Sequence, residues 1–96
     1  MSLEPTLKQA HIFVSGRVQG VYYRQSTKER ALALGIQGWT RNLADKRVEI
    51  VAQGSQEQLD ALIQWCELGP DLAKVERVEV AFEAPSSAHE GFRIIR

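Results

Sequence analysis

AHIFVSGRVQGVYYRQSTKERALALG, residues 10–35, contains two different periods and the break between them. Ile12 and Val14 alternate with His11, Phe13 and Ser15, the two-residue period of a strand over Ala10–Ser15 that Gly16 ends. Tyr23, Thr27, Ala31 and Leu34 then recur at roughly helical spacing and mark one face of a helix that Gly35 stops. Gly16 and Gly20 bracket the connection. The order strand, glycine-bracketed turn, helix is the first half of a βαβ unit.

The rest of the chain completes the pattern. Ile36–Leu43 and Arg47–Gln53 read as strands joined through Ala44-Asp45-Lys46, a hairpin. In the second of these, Val48, Ile50 and Ala52 alternate with Glu49, Val51 and Gln53, so one face should be covered and the other open to water. Ser55 and Gln58 form a capping-box pair at the start of a second helix. Leu59, Leu62, Ile63 and Cys66 supply its buried stripe, and Gly69-Pro70 ends it. Val75–Glu83 is a strand with Val78, Val80 and Phe82 on one side; Ala84–Glu90 is a loop, and Phe92–Ile95 a short last strand. The expected fold is α+β and ferredoxin-like: β-α-β-β-α-β plus a short terminal strand, with both helices on one face of an antiparallel sheet. Residues 1–8 read as a flexible tail and residues 9–96 as one domain.

Composition narrows the function classes. Twelve basic and twelve acidic residues cancel, so no global positive field would draw in a nucleic-acid backbone. No apolar run approaches the length that crosses a bilayer, and Met1–Gln9 has no secretory h-region. Cys66 is the single cysteine, which excludes an intrachain disulfide and fits a reducing compartment. The expectation is a cytoplasmic monomer that binds neither nucleic acid nor membrane.

Chemistry concentrates in Gly16-Arg-Val-Gln-Gly-Val-Tyr-Tyr-Arg24. A glycine-containing turn that enters a helix can aim several backbone N–H groups into one concavity, and the helix N-terminus favours an anion there. Arg24 adds a permanent charge and a planar donor fork suited to phosphate. The stretch is neither a Gly-x-x-x-x-Gly-Lys-Ser/Thr loop nor Gly-x-Gly-x-x-Gly. On spacing alone, a phosphate cradle and a plain glycine-rich turn with a surface arginine are equal readings.

This nine-residue stretch resembles the first signature of the acylphosphatases, and Gly38-Trp-Thr-Arg-Asn42 resembles their second. The resemblance runs through Gly54, the second helix and Gly69-Pro70 to Phe92, nearly the whole chain. It implies an enzyme that hydrolyses acyl phosphates to carboxylate and inorganic phosphate by in-line attack of a positioned water, with no cofactor and no metal. It further implies that the backbone amides of Gln19, Gly20, Val21, Tyr22 and Tyr23, with the Arg24 guanidinium, hold the substrate phosphate. Asn42 would position the water. Phosphoryl transfer needs positioning and charge stabilisation more than bond-making side chains, and a carboxylate leaves readily. Inorganic phosphate would then be both product and inhibitor. Tyr22 and Thr40 depart from the residues usual in the signatures, and Ala44 and Lys46 replace a frequent proline and glycine of the hairpin turn.

Other residues carry plainer readings. Cys66 lies in the core stripe, so it is a buried thiol and no nucleophile. His11 and His89 are too few and too scattered for a metal site. Trp39 is packing rather than a base-stacking platform. Two alternatives to an enzyme are a non-catalytic anion-binding or regulatory module with the same cradle, and a ferredoxin-like RNA binder, which zero net charge disfavours. A carbamoyl-transfer domain of a larger maturation protein is a third alternative; the chain ends soon after the domain, which favours a free-standing enzyme.

Overall fold

The computed structural model describes residues 6–96. Its elements in chain order are β1 (Lys8–Arg17), α1 (Tyr23–Leu34), β2 (Gln37–Asn42), β3 (Val48–Gly54), α2 (Gln56–Leu68), β4 (Lys74–Glu83) and β5 (Phe92–Ile94). The strands form one sheet in the order β4-β1-β3-β2-β5, the ferredoxin-like order with a fifth strand added at one edge. β1 pairs antiparallel with β3 and β4, and β2 antiparallel with β3. β5 lies parallel to β2, so the expected antiparallel sheet is mixed at that edge.

The apolar halves of the two periods meet in one core. Ala10, Ile12 and Val14 of β1 and Val48, Ile50 and Ala52 of β3 are fully buried against Tyr23 and Ala31 of α1 and Leu59, Leu62 and Cys66 of α2. Burying a side chain the size of Leu59 or Ile12 contributes about 1.5–3 kcal/mol, so this face alone fixes the register of β1 on β3. Ile36 N–H reaches back to Ala31 O at 2.9 Å where Gly35 ends α1. The Ser55–Gln58 capping box closes the start of α2, with bonds of 2.8 and 3.2 Å.

Three expectations need correction. β1 does not stop at Gly16: it runs on to Arg17 across a register shift between Ser15 and Gly16. A Cβ at Gly16 would lie 2.2 Å from Lys74 O, so only glycine lets β1 and β4 stay paired through the bulge. β1 also begins inside the expected tail, with Lys8 opposite Gly54; residues 1–5 of that tail lie outside the described residues. The second face of β3 is not open, since Glu49, Val51 and Gln53 are each only 6% exposed. β3 is the central strand, and longer side chains and a loop fold over it: His11 and Arg41 flank Glu49, while Gln53 exchanges two hydrogen bonds with the Ser86 backbone at 2.7 and 2.8 Å. Phe82 shares the side of Val78 and Val80, as expected, all three lying opposite inward residues of β1, and is 52% exposed because it sits near the end of the edge strand β4.

Candidate active site

The β1–α1 connection is pinned from below and left open above. Val18 and Val21 are buried in the core and hold its two arms. Between and after them, Gly20 (φ 75°) and Tyr22 (φ 64°) take left-handed backbone conformations. A Cβ at Gly20 would meet nothing within 4 Å, so its glycine answers to backbone conformation and not to crowding. Successive turns of this kind make the anion-binding concavity in which backbone N–H groups converge.

Tyr23 anchors the first turn of α1. Its ring stacks obliquely on Trp65 at 5.4 Å, and its hydroxyl donates to Cys66 O at 2.7 Å. Burial drives this phenol far above its ordinary pKa, so it stays a neutral donor. Thr27 Oγ1 donates back to Tyr23 O at 2.7 Å. The N-terminus of α1 itself carries no side-chain cap among the described residues and no acid in its first turn. Its orphan N–H groups and positive dipole end are therefore free to face an anion.

Val18, Gly20, Tyr22, Tyr23, Arg24, Gln25, Asn42 and Ile94 line one cavity of about 370 Å³. Arg24 makes no ion pair among the described residues. Asn42, at the end of β2, carries a buried Oδ1 with no hydrogen-bond partner among the described residues. Leaving a buried acceptor unmade costs about 1–3 kcal/mol, a cost that a donor in the cavity would remove. Gly20, Tyr22, Tyr23, Arg24 and Asn42 of the expected set thus meet at one place. Gln19 and Val21 offer it no side chain: Val21 faces the core, and the Gln19 side chain turns to the β2–β3 hairpin. Gln25 and Ile94 are lining residues that the sequence did not single out. Gln25 had only its position one residue past Arg24 as a signal, and Ile94 had none, since β5 reaches the site solely by pairing with β2.

The remaining titratable groups serve other ends. His11 Nε2 sits 2.5 Å from Glu49 Oε2, and His89 Nε2 2.6 Å from Gln9 Oε1; neither ring borders the cavity. Burial alone would raise the Glu49 carboxyl, but the hydrogen bonds and charges of His11 and Arg41 outweigh it and hold it below the usual glutamate range. Backbone and side-chain bonds from Arg47 lower Asp45 in the exposed turn. Burial pushes the Cys66 thiol up to about 12, so it is protonated at neutral pH and unsuited to attack.

The acylphosphatase family model matches residues 10–94. The chain belongs to the acylphosphatase family. It is 51% identical over 87 residues to an acylphosphatase of Rubrobacter xylanophilus, covering 91% of this chain and 79% of the relative. It is 47% identical over 90 residues to that of Methylococcus capsulatus, covering 94% and 98%. The acylphosphatase of Bacillus subtilis superposes with a TM-score of 0.89 at 32% identity, covering 93% of this chain and 99% of that one. As a family member the chain is an acyl phosphate hydrolase, as its two signatures implied, and the non-catalytic module is not favoured. Among the described residues no helix is long and apolar enough to cross a membrane.

Proposed function

We propose that the chain hydrolyses acyl phosphates in the cavity between the β1–α1 turn and the end of β2, with the work divided between Arg24 and Asn42. The observation that carries this is their convergence: an arginine with no ion pair among the described residues and an amide oxygen with no donor there face one space at the uncapped end of α1. Arg24 and the loop amides from Gln19 to Tyr23 hold the phosphate, spreading donors over its oxygens. Asn42 accepts a hydrogen from the attacking water and sets its line of approach opposite the carboxylate leaving group. The P–O bond to the acyl group breaks as the water oxygen bonds to phosphorus, and the water's protons leave to solvent and phosphate. The carboxylate leaves as an anion, so the step requires no general acid and no metal. Small acyl phosphates are the substrates, inorganic phosphate is product and inhibitor, and a cytoplasmic monomer is the working unit; the single buried thiol fits a reducing compartment.

The test is hydrolysis of benzoyl phosphate and of a simple alkyl phosphate, with and without a chelator. Rapid turnover of the first, slow turnover of the second and no effect of chelation are expected. Arg24→Ala should weaken phosphate inhibition, with little rescue by Arg24→Lys, because a point charge does not reproduce the fork. Asn42→Ala should keep phosphate affinity and lose about 2–4 kcal/mol of barrier lowering in kcat. Equal rates on both substrates, or loss of phosphate affinity in Asn42→Ala with kcat preserved, would overturn the reading.

A further inference from the structure

Gln19 sits inside the turn, yet its side chain leaves the cavity. Its Nε2 donates to Leu43 O at 2.9 Å and to Arg47 O at 3.0 Å. Those two carbonyls belong to the pair that closes the β2–β3 hairpin, where Leu43 N–H bonds to Arg47 O at 2.8 Å and Lys46 N–H to Leu43 O at 3.2 Å. A primary amide has two N–H donors, and both are spent here on the hairpin. Leu43 follows Asn42 directly, and Gly20 of the cavity follows Gln19. One path between the two halves of the site therefore runs from Gly20 to Gln19, through its bond to Leu43 O, to Asn42, and the bond to Arg47 O braces it. β2 and β1 are not neighbours in the sheet, because β3 separates them. No ladder bond sets the distance from the turn to the end of β2, so this amide is a direct tie between them.

We propose that the Gln19 side chain is a positioning residue for hydrolysis: it holds Asn42 at the distance from the phosphate cradle at which the attacking water is in line. The inference rests on the assignment of Asn42 to the water and of the turn to the phosphate. Its chemistry follows from geometry, since a misplacement of about 1 Å between reacting groups can cost ~100-fold in rate. The glutamine is required as a double donor. A carboxylate in its place would face two carbonyl oxygens with no hydrogen to offer, whereas its protonated form would offer one.

The experiment measures kcat, phosphate inhibition and thermal midpoint for Gln19→Ala, Gln19→Glu, Asn42→Ala and the double variant Gln19→Ala/Asn42→Ala. Gln19→Ala should lose roughly 10- to 100-fold in kcat, with phosphate inhibition changed by less than about threefold, since the backbone cradle stays. In the Asn42→Ala background the same change should cost almost nothing, because the group it positions is gone. The kcat of Gln19→Glu relative to the unaltered enzyme should recover as pH is lowered through titration of the introduced carboxyl. That ratio also serves if Gln19→Ala does not fold. The proposal is overturned if Gln19→Ala weakens phosphate inhibition as much as kcat, if it costs the same factor with and without Asn42, or if the relative kcat of Gln19→Glu is flat with pH. The two readings separate cleanly. If Asn42→Ala keeps its kcat, the water assignment falls and takes this inference with it. If Asn42→Ala loses kcat while Gln19→Ala does not, this inference alone falls.

Discussion

The two helices begin in opposite ways. α2 starts with Ser55 and Gln58 locked reciprocally onto each other's backbone and with Glu57 in its first turn. α1 starts at Tyr22, a tyrosine in the left-handed region with an exposed ring, with no side-chain cap among the described residues and no acid in its first turn. A capped terminus satisfies its orphan N–H groups and complements its dipole; an uncapped one forgoes about 1 kcal/mol of stability. The difference teaches where the chain gives up local stability. The closed end of α2 lies away from the cavity of Arg24 and Asn42, while the open end of α1 faces it.

Closing the open end should therefore hurt activity while helping the fold. Gln25 is in the first turn of α1 and lines the cavity. Gln25→Asp should raise KM for an acyl phosphate about tenfold or more through charge repulsion. The same change should add about 0.3–1 kcal/mol of stability at the helix end, less the repulsion from Glu29, which Gln25 now contacts at 3.4 Å. Steady-state kinetics beside a denaturation curve would check the opposite signs; an unchanged KM would mean that the α1 terminus is not a phosphate site.

Opening the closed end should do the reverse. Ser55→Ala removes the cap of α2 and should cost about 0.5–2 kcal/mol in chemical denaturation. kcat and KM should stay as they are, since Ser55 is not part of the cavity. A kinetic defect in a folded Ser55→Ala protein would blur the contrast.

The smallest effect concerns the two non-glycine residues with positive φ among the described residues, Tyr22 (64°) and Lys46 (80°). Lys46→Gly should stabilise by at most about 1 kcal/mol, because glycine adopts this conformation without Cβ strain. It should leave kinetics alone, as Lys46 lies in the exposed hairpin turn. Tyr22→Gly should relieve similar strain but change KM as well, because Tyr22 lines the cavity. Matching denaturation midpoints with a KM shift in only one variant would sharpen the comparison; a marked loss of stability in Lys46→Gly would show that the lysine side chain itself supports the turn.

Local periodicity was legible along the chain. The alternation in β1, the Tyr23–Thr27–Ala31 face of α1, the Leu59–Leu62–Cys66 stripe and the Ser55–Gln58 box each depend on residues within a few positions of one another. On spacing alone the stretch from Gly16 to Arg24 left a phosphate cradle and a plain turn as equal readings, and only its resemblance to a family signature, together with that of Gly38–Asn42, favoured the cradle. What only tertiary structure decided involves partners far apart in sequence. The buried second face of β3 depends on its central place and on a loop 33 residues away at Ser86. The arrival of Ile94 at the cavity depends on a parallel pairing with β2. The tie from Gln19 to Leu43 and Arg47 spans 24 and 28 residues. An amide side chain gives no sign in sequence of which carbonyls it will meet, because that choice is made by strand order and packing. The sequence by itself determined the elements and the family; the meeting of Arg24 with Asn42 at one cavity, and the bonds from Gln19 to the hairpin, exist only once β3 has brought β1 and β2 to its two sides.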